Sequence, residues 1–205
     1  MIMKTVTGLF DDYSDASAAV SALEAHGIHS DNISIVSNNA DGRYKDGDHD
    51  SNAAEGAGTG AGIGAMVGGA GGLLTGLGIM AIPGVGPVVA AGWLAATALG
   101  AVAGAAAGGA TGGLIGALTS SGVDEDHAHV YAEGVRRGGT LVTAKVEDDL
   151  HAEAEAILRK SNWVDPVERR NAYSQQGWTK FEDTAAPYGA TEVEEERARY
   201  PRRTL

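Results

Sequence analysis

The sequence predicts an α+β protein. Two βαβ halves form one split ferredoxin-like domain, interrupted by a long glycine-rich helical hairpin and followed by a disordered C-terminal tail. Three observations predict this. A strand–helix–strand pattern runs from Lys4 to Ser37, and a second one, preceded by an extra helix, ends near Val164. Between them, Gly56 to Val123 spans 68 residues without one charged side chain.

The first half is built from short, legible signals. Lys4 to Phe10 alternates as a strand, with Val6, Gly8 and Phe10 on one side. Asp11 to Gly27 has helical spacing: Asp12 or Ser14 can cap its start, Ala16, Ala19, Val20 and Leu23 form its apolar stripe, and Gly27 can end it. Ile33 to Ser37 is a second strand. Asn38 to Ala54 is polar, acidic and glycine-containing, and is expected to be a loop.

The uncharged stretch carries glycine at every fourth position. Gly56, Gly60, Gly64, Gly68, Gly72 and Gly76 form one series, and Gly100, Gly104, Gly108, Gly112 and Gly116 a second. Positions four apart stack on one side of a helix, so each series predicts a helix-packing interface where backbones approach closely. Pro83-Gly84-Val85-Gly86-Pro87 separates the two. A first helix from Gly60 to Ile82 would be about 35 Å long, enough for a hydrocarbon core of about 30 Å. A second, from Val88 to Leu118, is longer. Its middle is weak as a spanning element, because Ala101 to Gly113 holds only Val102 as a large apolar residue. Such a helix needs other helices around it. The expectation is therefore a self-assembling hairpin in the bilayer, with a hairpin buried as the oligomerisation core of a soluble protein as the alternative, and a low-complexity linker as a third reading.

The second half repeats the logic of the first. Asp124 to Arg137 is a helix stopped by Gly138-Gly139, Thr140 to Val146 a strand, and Asp148 to Ser161 an amphipathic helix with Leu150, Ala154, Ile157 and Leu158 on its core face. Trp163-Val164 starts a last strand that Pro166 limits. If the halves join, Val6, Val20, Leu23, Ile35, Val142, Val146, Ile157 and Leu158 share one core. From Asn171 the chain is polar and weakly periodic, which predicts a flexible tail. The expected units are thus residues 1–54, 55–123, 124–170 and 171–205.

The pattern from Leu9-Phe10-Asp11-Asp12 through Ala16, Val20, Leu23 and Gly27-Ile28 to Asn32-Ile33-Ser34-Ile35-Val36 resembles the domain of bacterial heat-induced general stress proteins, the YflT-like family. So does Ala128, Tyr131, Gly134-Val135 and Gly138-Gly139-Thr140-Leu141-Val142. The resemblance covers about residues 4–165. It implies stress association, and it implies no reaction and no catalytic residues.

Composition narrows the partners. A net charge of −12 and a pI near 4.8 argue against nucleic acid, whose phosphates need a basic footprint. With no cysteine there is no disulfide, thiolate ligand or thiol nucleophile. The first residues lack the apolar core of a signal peptide. Candidate chemistry is sparse. Asp46-Gly47-Asp48-His49-Asp50 resembles the opening of a calcium loop, but Ser51 and Ala57 stand where the turn glycine and the bidentate glutamate belong. His127 and His129 are two apart and point to different sides of a helix. Gly76-Leu77-Gly78-Ile79-Met80-Ala81 fits a loose dinucleotide fingerprint, without the acid that should follow.

The expected function is a non-enzymatic, stress-associated membrane protein. It assembles with itself at the cytoplasmic face of a bacterial inner membrane, or in the cytoplasm on the alternative reading. No metal or cofactor is expected, and any small-molecule ligand is unknown.

Overall fold

The computed structural model describes residues 3–42, 78–98 and 113–200. Five strands form one antiparallel sheet: β1 (Met3–Phe10), β2 (Ile33–Asn38), β3 (Gly78–Ile82), β4 (Gly86–Gly92) and β5 (Thr140–Glu147). The order across the sheet is β1-β5-β2-β4-β3. The helices are α1 (Tyr13–Ala25), α2 (Gly113–Ser120), α3 (Glu125–Arg136), α4 (His151–Lys160), α5 (Pro166–Gln175) and α6 (Ala190–Arg199). A further helical segment covers 93–98.

The two halves do build one sheet. β5 lies between β1 and β2, with Leu9 opposite Leu141 on one side and Ile35 opposite Val142 on the other. Alternation along each strand then sends side chains to two faces. On one face Val6, Phe10, Ile33, Ile35, Val142, Ala144 and Val146 meet α1 and α4. All eight residues expected to share a core lie in that cluster. On the other face Leu9, Val36, Leu141, Val88 and Ala90 meet Ala128, Tyr131 and Val135 of α3 and the apolar side of α2. The helix before β5 is therefore the cover of the second face.

The predicted last strand shrinks to one bridge. Val164 pairs antiparallel with Leu9 on the outer side of β1, and Asp165 then turns the chain into α5. Its carboxylate accepts from the N–H groups of Val167 and Glu168, and Pro166 occupies the first turn.

Two expectations are corrected. The first concerns the helices placed at Gly60–Ile82 and Val88–Leu118. Where described, the chain from Gly78 to Gly92 is a β-hairpin, with Ile82 opposite Gly86 and Val36 of β2 opposite Ala90 of β4. The helix resumes only at 93–98, and α2 begins at Gly113. Ile79, Ile82, Val85, Val88 and Val89 favour a pleated surface, and β2 offers an edge of unpaired backbone groups to satisfy. Gly84 (φ +73°) and Gly86 (φ +99°) adopt the left-handed conformations of the turn. No helix among the described residues is long and apolar enough to cross a membrane. Of the glycines expected at a helix interface, only Gly116 is described; it sits half-buried on α2. Gly56, Gly60, Gly64, Gly68, Gly72, Gly76, Gly100, Gly104, Gly108 and Gly112 lie outside the described residues, as does the acidic stretch Asp46–Asn52.

The second correction is the tail. Residues 171–200 complete α5 and form α6, and Tyr173, Phe181 and Val193 are buried. The hairpin and this C-terminal segment support each other. Val85 and Phe181 share one cluster. A Cβ on Gly84 would lie 2.5 Å from Asp183 Cα, and one on Gly86 2.6 Å from Pro187.

Candidate functional site

The charged side chains that the fold brings together lie where α5 and α6 meet the end of α3. Arg137 follows the last turn of α3 and is 6% exposed. Its Nε donates to Glu133 Oε1 at 2.6 Å, and Nη1 donates to Gln176 Oε1 at 2.6 Å and Glu196 Oε1 at 3.0 Å. The guanidinium lies 4.1 Å from the centre of the Tyr173 ring. Arg136 Nη2 donates to the same Glu133 oxygen at 3.0 Å. Asn38, at the end of β2, donates through Nδ2 to the carbonyls of Val135 and Arg136 at the end of α3.

A second guanidinium extends the cluster. Arg169 of α5 grips Asp11 with two bonds of 2.7 Å, from Nη1 and Nη2 to the two carboxylate oxygens. It stacks 3.7 Å from the centre of the Tyr200 ring. Arg197 of α6 donates to Asp41 Oδ2 at 3.1 Å and to the Gly138 carbonyl at 2.8 Å.

The electrostatics follow from this geometry. Burial works to discharge Arg137 and Arg169, but the hydrogen bonds and charges of Glu133, Glu196 and Asp11 outweigh it. Both arginines are held above the usual range and stay charged. Burial pushes Tyr173 and Tyr131 well above the ordinary phenol value.

Beside this cluster opens a cleft of about 370 Å³. Asp11, Asp12, Asp15, Asn162, Trp163, Asp165, Glu168, Arg169 and Tyr200 line it, with Val164, Ala172 and Arg199. Its rim is acidic and its walls partly aromatic, a surface suited to a cation. Three of its five carboxylates, however, already have work in the fold. Asp11 holds Arg169, Asp165 caps α5, and Asp15 accepts from Asn162 Nδ2 at 3.4 Å. Among the described residues that line it there is no serine, cysteine or histidine.

The described candidate residues read from the sequence are not assembled into a site. His127 lies against the Tyr131 ring, centroids 6.3 Å apart, while His129 faces Glu125 at 3.9 Å. Among the described residues no three metal-ligating side chains converge. Gly78 to Ala81 belongs to β3, so the loose dinucleotide fingerprint opens no helix there. Sequence reasoning missed Glu133, Arg137, Arg169, Asp11, Tyr173 and Glu196. One signal was present: Glu133 and Arg137 are four apart on a helix, the spacing of a side-chain pair. Asp165-Pro166 was another, the signature of a helix start.

Fold and site together define an α+β protein whose buried charges tie its own elements together. Residues 5–84 match the family model of the heat induced stress protein YflT domain. Over that stretch, which runs across β1, α1, β2 and β3, the chain is similar to this family, in keeping with the resemblance read from Leu9 to Val36. The part of that resemblance from Ala128 to Val142 lies outside the match. No curated protein and no solved structure gives a significant match.

Proposed function

We propose that this chain is a non-enzymatic, stress-associated scaffold or sensor that assembles with copies of itself. The observation that carries the reading is the match of residues 5–84 to a heat induced stress domain. The inward use of charge supports the non-enzymatic part, because three of the carboxylates lining the cleft beside Arg169 hold a helix start, an arginine and an asparagine. The order of β1, β5 and β2, with the Val164 bridge outside β1, supports a split ferredoxin-like core to which the β3–β4 hairpin has been added.

The test is in the source organism. Deleting the gene should reduce survival after heat or a related stress. Complementation with the Asp11→Asn, Arg169→Gln double variant should restore it as long as that variant stays folded, because on this reading the pair has no catalytic duty. Loss of rescue by a folded double variant would count against a non-enzymatic role. Unchanged survival of the deletion under every stress would count against stress association.

A further inference from the structure

We propose that the outer edge of β1 is the surface on which a second copy of this chain pairs, joining two sheets into one. The proposal rests on the self-assembly reading above and assigns it a place.

Backbone direction identifies the free edge. The Val164 N–H donates to the Leu9 carbonyl at 2.8 Å on the side of β1 away from β5. Backbone groups along a strand alternate between its two edges. Met3, Thr5 and Thr7 are in phase with Leu9, so their N–H and C=O groups also point outward. Val164 satisfies Leu9 alone, because Asp165 and Pro166 turn the chain into α5. Among the described residues no backbone group bonds the outward groups of Thr5 and Thr7. An unpaired edge of this kind is a template for another strand.

The surroundings suit a strand. A groove of about 250 Å³ opens beside Thr7, between Tyr131 of α3 and Leu158 and Arg159 of α4, and Trp163 and Val167 close its end. Thr7 Oγ1 is buried there without a hydrogen-bond partner. Met3 and Val167, 46% and 58% exposed, are two large apolar side chains left open to solvent beside this edge.

The strand's own sequence favours a second copy as the occupant. Two chains of net charge −12 repel each other over most of their surfaces. Near this edge two ion pairs within each chain soften that repulsion: Lys4 with Asp148, and Arg159 with Glu155 at 2.6 Å. What the strand presents for pairing is threonine. An antiparallel pairing of β1 with itself, centred on Thr5, sets Thr5 opposite Thr5 and Met3 opposite Thr7. Threonine pairs are favourable across strands. One two-fold axis then satisfies both edges at once and leaves no further strand to add there.

The test uses the full chain. Light-scattering mass is measured for the wild type and for Thr5→Pro over a wide concentration range. Proline at this position removes an outward N–H and leaves the β1–β5 bonds intact. We expect a wild-type dimer and self-association at least about tenfold weaker in the variant. Amide exchange on the wild type gives a second readout that needs no variant. The Thr5 and Thr7 amides should become protected as concentration rises, while Val6, already bonded to β5, should not change. A Thr5→Pro variant that is folded and has the wild-type mass overturns the proposal. So does an assembled wild type whose Thr5 and Thr7 amides exchange freely, and either result leaves self-assembly itself standing. A wild type that is monomeric throughout overturns both.

Discussion

The two faces of the sheet are closed by different forces. Under α1 and α4 the contact is apolar: Val20, Leu23, Ile157 and Leu158 press on Val6, Ile35, Val142 and Val146. Over the opposite face α3 also packs through apolar residues, and the elements beyond it are tied down by charge as well. Arg137, Glu133 and Glu196 join α3 to α6, and Arg169 with Asp11 joins α5 to the end of β1. Apolar burial is non-directional and scales with area. A buried ion pair is directional, and its formation adds little net stability because desolvation offsets attraction. Its removal is costly when one partner is left behind. Apolar burial on the two faces should therefore set how stable the domain is, and the charges beyond α3 where the C-terminal helices sit.

The largest effect should come from breaking the charged face asymmetrically. Arg137→Met leaves Glu133, with a side chain 1% exposed, and Glu196 without their main cation. Urea unfolding should show a loss of about 3–5 kcal/mol. Replacing Glu133 and Glu196 by leucine and methionine in the same chain should recover most of it, since apolar isosteres replace buried ions well. If the single variant is neutral, the cluster does not hold α6.

On the other face, Leu23→Ala should cost about 2–5 kcal/mol by the same measurement, through lost transfer energy and a cavity. No compensating charge change should rescue it.

The faces should also separate at high pH. Tyr131 and Tyr173 both belong to the α3 side, and both phenols are raised by burial. Below the unfolded value of about 10 their contribution is intact. Above it the unfolded chain ionises first, and stability is lost as pH rises toward the folded values. Unfolding free energy should fall above that pH, and Tyr131→Phe with Tyr173→Phe should flatten the fall. An equally steep fall in the double variant would place its cause elsewhere.

The smallest effect is at the surface. The hydrogen bond and charge of Lys4 hold the Asp148 carboxyl below its usual range. That contribution is present above the unfolded carboxylate value and is lost as pH falls through the folded one. Because Asp148 is exposed, Lys4→Ala should return its NMR titration toward the ordinary range with no measurable change in stability.

The apolar face was legible in the sequence because each of its elements announces its own period. Val6 to Phe10 alternates, and Val20, Leu23, Ile157 and Leu158 recur at helical spacing. The hairpin was not. Gly78–Gly92 lies between the two glycine series, and its small and apolar residues fit a helical period as readily as an alternating one. What decides the conformation of Gly78–Gly92 is the open edge of β2 and the packing of Phe181 and Pro187 on the turn, neither of which is local. The C-terminal helices were missed for a related reason. From 171 to 200 the buried apolar residues, Tyr173, Phe181 and Val193, are too few to show a periodic stripe. The pairing of Asp11 with Arg169 joins residues 158 positions apart, which no spacing rule can reveal. Of the site, Glu133 and Arg137 alone were visible as a local pair.

The contrast between the faces holds only if residues 171–200 are a clamped part of the folded domain. Amide hydrogen exchange on the wild-type chain measures this at Tyr173 in α5 and at Val193, whose N–H bonds the Gly189 carbonyl at 3.0 Å in α6. The ion-pair clamp predicts slow exchange at both amides, and a marked speeding of Val193 in Arg137→Met. Exchange at the rate of an unstructured peptide in the wild type, with β1 and β5 still protected, would contradict it.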